Sequence, residues 1–342
     1  MRQLFSPGKE QLLDAELDGT FSDARKDHPF PAHRARELTR TERKLRRAFA
    51  ESDFAFDAQI AYGPIDHLRP LGGSPQLGTY IKQLWQRRHF IWLESRSKVS
   101  STAMGNTLGL TWLVFKPLLD AAFYIILFGL ILKTSRGVDN YIAFVTIGVF
   151  MFQSTTNAIT NSIGSIRASK SMIRAFNFPR ASIPIALVIR NFIERIPAYL
   201  AMFALIALIP PHEMPELSWL LFPVILAMHM IFDFGLTLIF ARCGSAFPDL
   251  SHIVGFAMRF LLYGSGVIFP ITNFVTHPDV LAVVEANPVL IVLDMYRTVL
   301  IDGLIPEWTQ WAQFGAWSLG LFVIGFIWFW RGEESYARER QN

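Results

Sequence analysis

From Thr107 onward the chain is written in apolar blocks of about twenty residues, and no other feature restricts its fold as strongly. The blocks are Thr107–Leu132, Tyr141–Ile163, Pro184–Ile209, Trp219–Ala241, Ile253–Ile271 and Trp311–Trp330. A helix of that length crosses roughly 30 Å of hydrocarbon while satisfying its own backbone. The sequence is 51% hydrophobic, with thirty Phe and nine Trp, too apolar for an ordinary soluble domain. It predicts an all-α integral membrane protein with six transmembrane helices, multi-pass in the cytoplasmic membrane. Met1–Ala50 holds no apolar run of signal-peptide type, so the first span is expected to direct insertion.

Charge sets the orientation. Ile166–Arg180, between the second and third blocks, carries Arg167, Lys170, Arg174 and Arg180 and no acidic residue. Short loops this basic stay on the cytosolic side. Pro210–Ser218, after the third block, carries Glu213 and Glu216 and no Lys or Arg. Both termini are therefore expected in the cytosol. Ser165–Phe176 can form a short helix that Pro179 ends, either a topology signal or a docking helix for a soluble partner. The net charge of +4 is small and its basic residues cluster near the inner surface, which argues against nucleic acid as a partner. The single Cys243 excludes an internal disulfide and a cysteine metal site.

Residues 1–75 read as a polar cytosolic region with one basic helix at Ala35–Glu51. Residues 76–100 read as an amphipathic interface helix against membrane lipids, and 101–342 as the spanning domain. In the helix, Leu77, Tyr80, Ile81, Leu84, Ile91 and Trp92 share one face, opposite Lys82, Gln83 and Gln86.

Four charges fall inside the apolar blocks: Lys116, Asp120, Asp233 and Arg259. Groups at that depth face protein or water, and the spacing of Lys116 and Asp120 predicts a pair within the bundle. Arg190, Glu194 and Arg195 are assigned to an inner-surface turn, and His229 to a buried hydrogen bond. The fifth block is broken by Gly264-Ser265-Gly266 and Pro270, which predicts a bend rather than a straight span. Val280–Val284 and Val289–Leu300 are too short to cross; they read as short re-entrant helices dipping into the outer leaflet or as a folded outer cap.

No GxxxxGK[ST], HExxH or GxSxG run and no Cys/His zinc pattern occurs, so no catalytic residue, metal site or bound cofactor is expected. Aromatic faces and weak hydrogen-bonding groups in the blocks can pack against neighbouring helices or line a wet path. Phe150, Phe152, Gln153, Asn157, Tyr263 and Phe269 are candidates for it.

Five stretches in order carry a resemblance: Leu108–Asp120, Ala168–Pro184, Ala246–Val254, Tyr263–Pro270 and Asn287–Gly303. Together they resemble the ABC-2 permeases that export polysaccharides, the Wzm/TagG type, from about Gln76 to the C-terminus. The resemblance implies a homodimer of six-span subunits bound to a separate nucleotide-binding ATPase, which would use ATP and magnesium. It implies coupling through Arg167, Lys170, Arg174, Phe176 and Arg180, with Asp249 in a second contact. It implies an outer gate that includes Ser265, Asn287 and Arg297. The substrate would be a polyprenyl-linked glycan, with cell-wall galactan the leading candidate and teichoic-acid-like polymers next. Three places depart from the pattern: Pro248-Asp249 stands for the usual Arg-Asp, Ser265-Gly266 for the usual Ser-Pro, leaving the bend to glycine, and the sequence around Arg96 lacks the common acidic-basic-aromatic run. Rival readings are an exporter of a small lipid or drug and a stand-alone membrane glycosyltransferase or ion-coupled carrier. The latter need acidic outer-loop chemistry or an internal repeat, and neither is visible.

Overall fold

The computed structural model describes residues 76–104, 111–131, 138, 140–176, 178–209, 216–247, 249–271, 277–333 and 336. All belong to the compact unit Gly72–Asn342. The helix expected at Ala35–Glu51, the start of the first span, most of the two acidic or polar loops after the first and third spans, and the end of the C-terminal tail lie outside the described residues.

Helices make up the regular structure of the described residues, with no strand among them. α1 (Leu77–Gln86) and α2 (Arg88–Met104) replace the one amphipathic helix expected, with the break at Arg87. Arg88 donates to Trp85 O at 3.1 Å and covers the Trp85 ring, which stabilises the junction. The single apolar face is thereby divided. Tyr80, Leu84 and Ile91 turn into the protein, whereas Ile81, Trp85, Trp92 and Leu93 remain exposed.

α3 (Trp112–Tyr124) contains Pro117 and continues into a π-helical stretch, Ile125–Ile131. α4 (Tyr141–Ile163) begins where expected because Asn140 accepts from Ala143 N at 3.0 Å, an N-cap. The basic segment forms two short helices, α5 (Ser165–Ala168) and α6 (Lys170–Ala175), not one. Arg167 donates to Gly244 O at 2.6 Å and Ser165 Oγ to Ser162 O at 2.7 Å, and these contacts hold the first turn apart from the second.

α7 (Ser182–Leu208) is followed by a 3-10 turn, Leu217–Leu221, and α8 (Phe222–Ala246), then α9 (Leu250–Gly264). α10 (Pro278–Glu285), α11 (Pro288–Leu300) and α12 (Trp308–Arg331) complete the unit.

Among the described residues five helices are long and apolar enough to cross a membrane: Val114–Ile131, Tyr141–Ile163, Ser182–Leu208, Leu217–Ala246 and Trp308–Arg331. α9, at 15 residues, is about 22 Å long and falls short of that reach. The protein is a multi-pass membrane protein.

Small residues bring α8 and α12 together. A Cβ on Gly325 would lie 2.6 Å from Gly235 O, so α8 and α12 cross with their backbones nearly touching. The largest core cluster draws Phe150 and Met151 from α4, Ile225 from α8, Val292 and Tyr296 from α11 and Phe314 from α12. α11 is buried along most of its length, while α10 buries no residue. The two short helices therefore differ: α11 is part of the bundle rather than one of a matched pair at its surface.

Candidate functional site

The segment after α9 is where the sequence and the packing meet most closely. Ser265–Phe269 leaves the helix, and Gly266 adopts φ +62°, a conformation that favours glycine. Gly264, assigned an equal share of the bend, ends α9 and has open space where a Cβ would stand. Only Gly266 is required for the turn.

The bend frees backbone carbonyls inside an apolar bundle, where each needs a partner. Arg297 of α11 supplies them. Its Nη2 donates to Gly266 O at 2.8 Å and Val267 O at 3.1 Å. The guanidinium lies 3.4 Å from the centroid of the Phe144 ring, and Asp294 accepts from Nη1 at 3.2 Å. Arg297 Nε is buried without a partner. Asn287 caps α11 by accepting from Val289 N at 3.0 Å and donates its amide to Ser265 Oγ at 2.9 Å. Thus Ser265, Asn287 and Arg297 meet at one bend. Phe269 and Tyr263 stand beside it, each packed on Phe128 with ring centroids 6.3 and 6.4 Å away. Sequence reasoning missed Gly148, where any Cβ would collide with Val267 O. A small residue inside a span is the signal that could have found it.

Phe150 and Phe152 do not join this group. Both are buried in the main core, so they pack the bundle rather than line an opening of the subunit. Gln153 and Asn157 are half-buried on α4.

A second cluster lies where α4, α7, α8 and α11 pack together. Asp233 accepts from Ser154 Oγ and Thr155 Oγ1, both at 2.8 Å. Thr155 Oγ1 also lies 2.8 Å from His229 Nε2, and His229 Nδ1 lies 3.3 Å from Tyr296 Oη. A hydroxyl has one proton, and Thr155 gives its own to Asp233. A neutral His229 therefore carries its proton on Nε2 and accepts from Tyr296 on Nδ1. The expected buried hydrogen bond of His229 is present. Arg195 is a correction: it is 7% exposed and donates to Phe150 O at 3.2 Å and Gln153 O at 2.6 Å, inside the bundle rather than at a surface turn. Lys116 and Asp120 are also corrected: no ion pair joins them, and Lys116 is exposed. Arg259 is exposed on α9.

The basic end of the bundle separates the residues assigned to coupling. Arg180 is an internal fixture: its backbone N–H donates to Glu333 Oε1 at 2.9 Å, and its guanidinium bonds Glu333 O. Tyr80 Oη donates to Glu333 Oε2 at 2.7 Å and accepts from Ala181 N at 3.0 Å. Burial pushes the Glu333 carboxyl up, opposed by the Arg180 N–H, the Tyr80 hydroxyl and the Arg180 charge. Arg167 is likewise engaged with Gly244. Lys170, Phe176 and Asp249 are exposed, Phe176 at 65%, and present an outward surface.

No protein-family model matches the chain. Individual relatives do. The O-antigen export system permease protein RfbA of Klebsiella pneumoniae is 27% identical over 202 residues, 58% of this chain and 74% of the relative. Its counterpart in Myxococcus xanthus is 20% identical over 265 residues, 77% of this chain and 96% of the relative. The chain is a relative of polysaccharide-export permeases. The polysialic acid transport protein KpsM of Escherichia coli is 23% identical over 231 residues, 67% of this chain and 87% of the relative, which extends the likeness to a transport protein for polysialic acid. The resemblance to ABC-2 polysaccharide-export permeases read from the five motifs is borne out.

Proposed function

We propose that the chain is the permease subunit of an ABC transporter that moves a polysaccharide across the cytoplasmic membrane. The observation that carries this reading is the likeness to export permeases over 77% of the chain and nearly the whole of the Myxococcus relative. The work would be driven by ATP and magnesium on a separate ATPase subunit. Two copies of the chain would form the pathway, and a polyprenyl-linked glycan, cell-wall galactan first, would be the cargo.

In this reading the basic end of the bundle faces the cytosol together with both termini, in keeping with the cationic Ile166–Arg180 and the acidic Pro210–Ser218. α9 and the bend after it would make the sixth, incomplete crossing. The bend at Gly266, held by Arg297 and Asn287, would be the outer gate. Its design suits that role: an arginine holds two carbonyls through hydrogen bonds that a small shift of α11 would break and remake.

Isolation of the tagged chain from its native membrane tests the proposal. An ATPase subunit should co-purify, and depletion of the chain should trap completed glycan inside the cell. A chain that purifies without an ATPase, with export unaffected by its depletion, would overturn the reading.

A further inference from the structure

α4 changes character half-way along. From Tyr141 to Phe152 every residue except Ile142 is buried, whereas Gln153, Thr156, Asn157, Thr160, Asn161 and Gly164 are half-buried or exposed. Alternating steps of three residues and one put all of these on a single face of the helix. The strip rises about 16 Å from the basic end of the bundle to Gln153, half the depth of the hydrocarbon. It carries amides and hydroxyls and no charge.

Groups of this kind within a span bond a neighbouring helix or water, because facing lipid is costly. On the buried side of α4, Ser154 and Thr155 are spent on Asp233. The strip is largely unspent. Thr156 Oγ1 donates to Phe152 O at 3.1 Å and Thr160 Oγ1 to Thr156 O at 2.8 Å, and both hydroxyls keep lone pairs for an outside donor. Asn161 reaches α7 through one long bond, to Asn191 Oδ1 at 3.3 Å. Gln153 and Asn157 hold no side-chain hydrogen bond among the described residues. The strip ends short of the bend, where Gly148 lies against Val267. At its other end Asn161 and Gly164 open into a cleft of about 350 Å³, in which Lys98 and Arg190 are already paired with Glu94 and Glu194. Lys116 stands five residues before buried Ala121 and Arg259 five after buried Val254. Each is thus turned about 140° from that packed position, and neither charge joins the strip.

We propose that the strip is the sugar-facing wall of the inner half of the export path and that it is built for an uncharged glycan, with Gln153 and Asn157 bonding the sugar hydroxyls. The inference rests on the export reading and adds the class of cargo. Amides and hydroxyls give and take hydrogen bonds with hydroxyls at little cost. An anionic polymer passing a wall without cations would lose hydration and gain no partner.

Cysteine labelling and export assays on the full chain in its native membrane test it. Thr156→Cys, Asn157→Cys, Thr160→Cys and Asn161→Cys, each with Cys243→Ala, are treated in inside-out vesicles with sulfonatoethyl methanethiosulfonate, a charged reagent that needs a thiolate in water. They should label several-fold faster than Ile324→Cys on the exposed apolar face of α12. In cells dependent on the chain, Asn157→Asp and Asn157→Lys should lower glycan export several-fold and to a similar extent. If either fails to reach the membrane, Thr160→Asp and Thr160→Lys replace the pair. Labelling no faster than at Ile324, as when lipid or a second copy covers the strip, would overturn this inference while export by the wild type leaves the export reading standing. Export spared by lysine and abolished by aspartate would overturn the uncharged cargo in favour of an anionic one.

Discussion

Tyr80 and Glu333 are 253 residues apart in the chain, and the Tyr80 hydroxyl donates to the Glu333 carboxylate at 2.7 Å. The bond ties α1 to the turn that follows α12, and Ala181 N and Arg180 N complete it from the start of α7. Tyr80→Phe leaves one Glu333 oxygen and the Ala181 N–H without their partner. The variant should unfold more easily by about 1–3 kcal/mol, the usual cost of an orphaned buried polar group. Thermal unfolding of the purified protein measures it, and a melting temperature equal to the wild type would refute the assignment.

The same cluster sets a pH dependence. Burial raises the Glu333 pKa above its ordinary 4.5, against the bonds that lower it. The folded state then holds the Glu333 proton more tightly than the unfolded chain does. Its contribution is fully present below pH 4.5 and is lost as pH rises through the folded value. Glu333→Gln should flatten that part of the stability profile. A profile with the same slope in both proteins would count against Glu333 as its source.

Arg297 is predicted to be irreplaceable at the bend. Lysine keeps the charge but lacks the planar fork that sets Nη2 on Gly266 O and Val267 O while Nη1 holds Asp294, so Arg297→Lys should behave almost as badly as Arg297→Met. Gly148→Ala should match them, because its Cβ would displace Val267 O. Gly264→Ala should be tolerated, since space is open there. Glycan export in a strain dependent on the chain reads all four. Full activity in Gly148→Ala, or loss confined to Gly264→Ala, would move the critical contact elsewhere.

Replacement of Phe176 and of Arg180 should fail in different ways. Phe176 is exposed and makes an outward surface, so Phe176→Ala should reduce ATPase association several-fold and leave the melting temperature alone. Arg180→Ala removes the guanidinium bond to Glu333 O, leaving only the backbone N–H on Glu333 Oε1, and should lower stability first. Co-purification of the ATPase beside thermal unfolding separates the two. A Phe176→Ala protein that unfolds early while retaining its ATPase would reverse these roles.

Lys116 and Asp120 should act independently. With no ion pair between them, the effects of Lys116→Ala and Asp120→Ala on stability should add to within about 0.5 kcal/mol. A double variant much more stable than the sum of the two would restore the pairing suggested by their spacing.

Helix positions were legible because they depend on neighbours in the chain. Apolar length, the Asn140 cap before α4 and the breaks at Pro179 and Gly266 act within a few residues, so the sequence alone located the long spans and the interrupted fifth block. It also marked Ser265, Asn287 and Arg297 through the motifs they occupy, though not why they belong together. What each polar side chain meets was decided by packing. Arg195 looked like a surface residue because Arg190 and Glu194 precede it, yet the close approach of α4 puts two carbonyls within its reach. Arg180 looked like a docking charge until the turn after α12 brought Glu333 to it. α11 looked like a surface helix by its length, and only the other helices around it show that it is core. Local sequence sets where a helix begins and ends; partners 30 to 250 residues away, which no local pattern encodes, set which of its faces is buried and which charge is spent holding the fold.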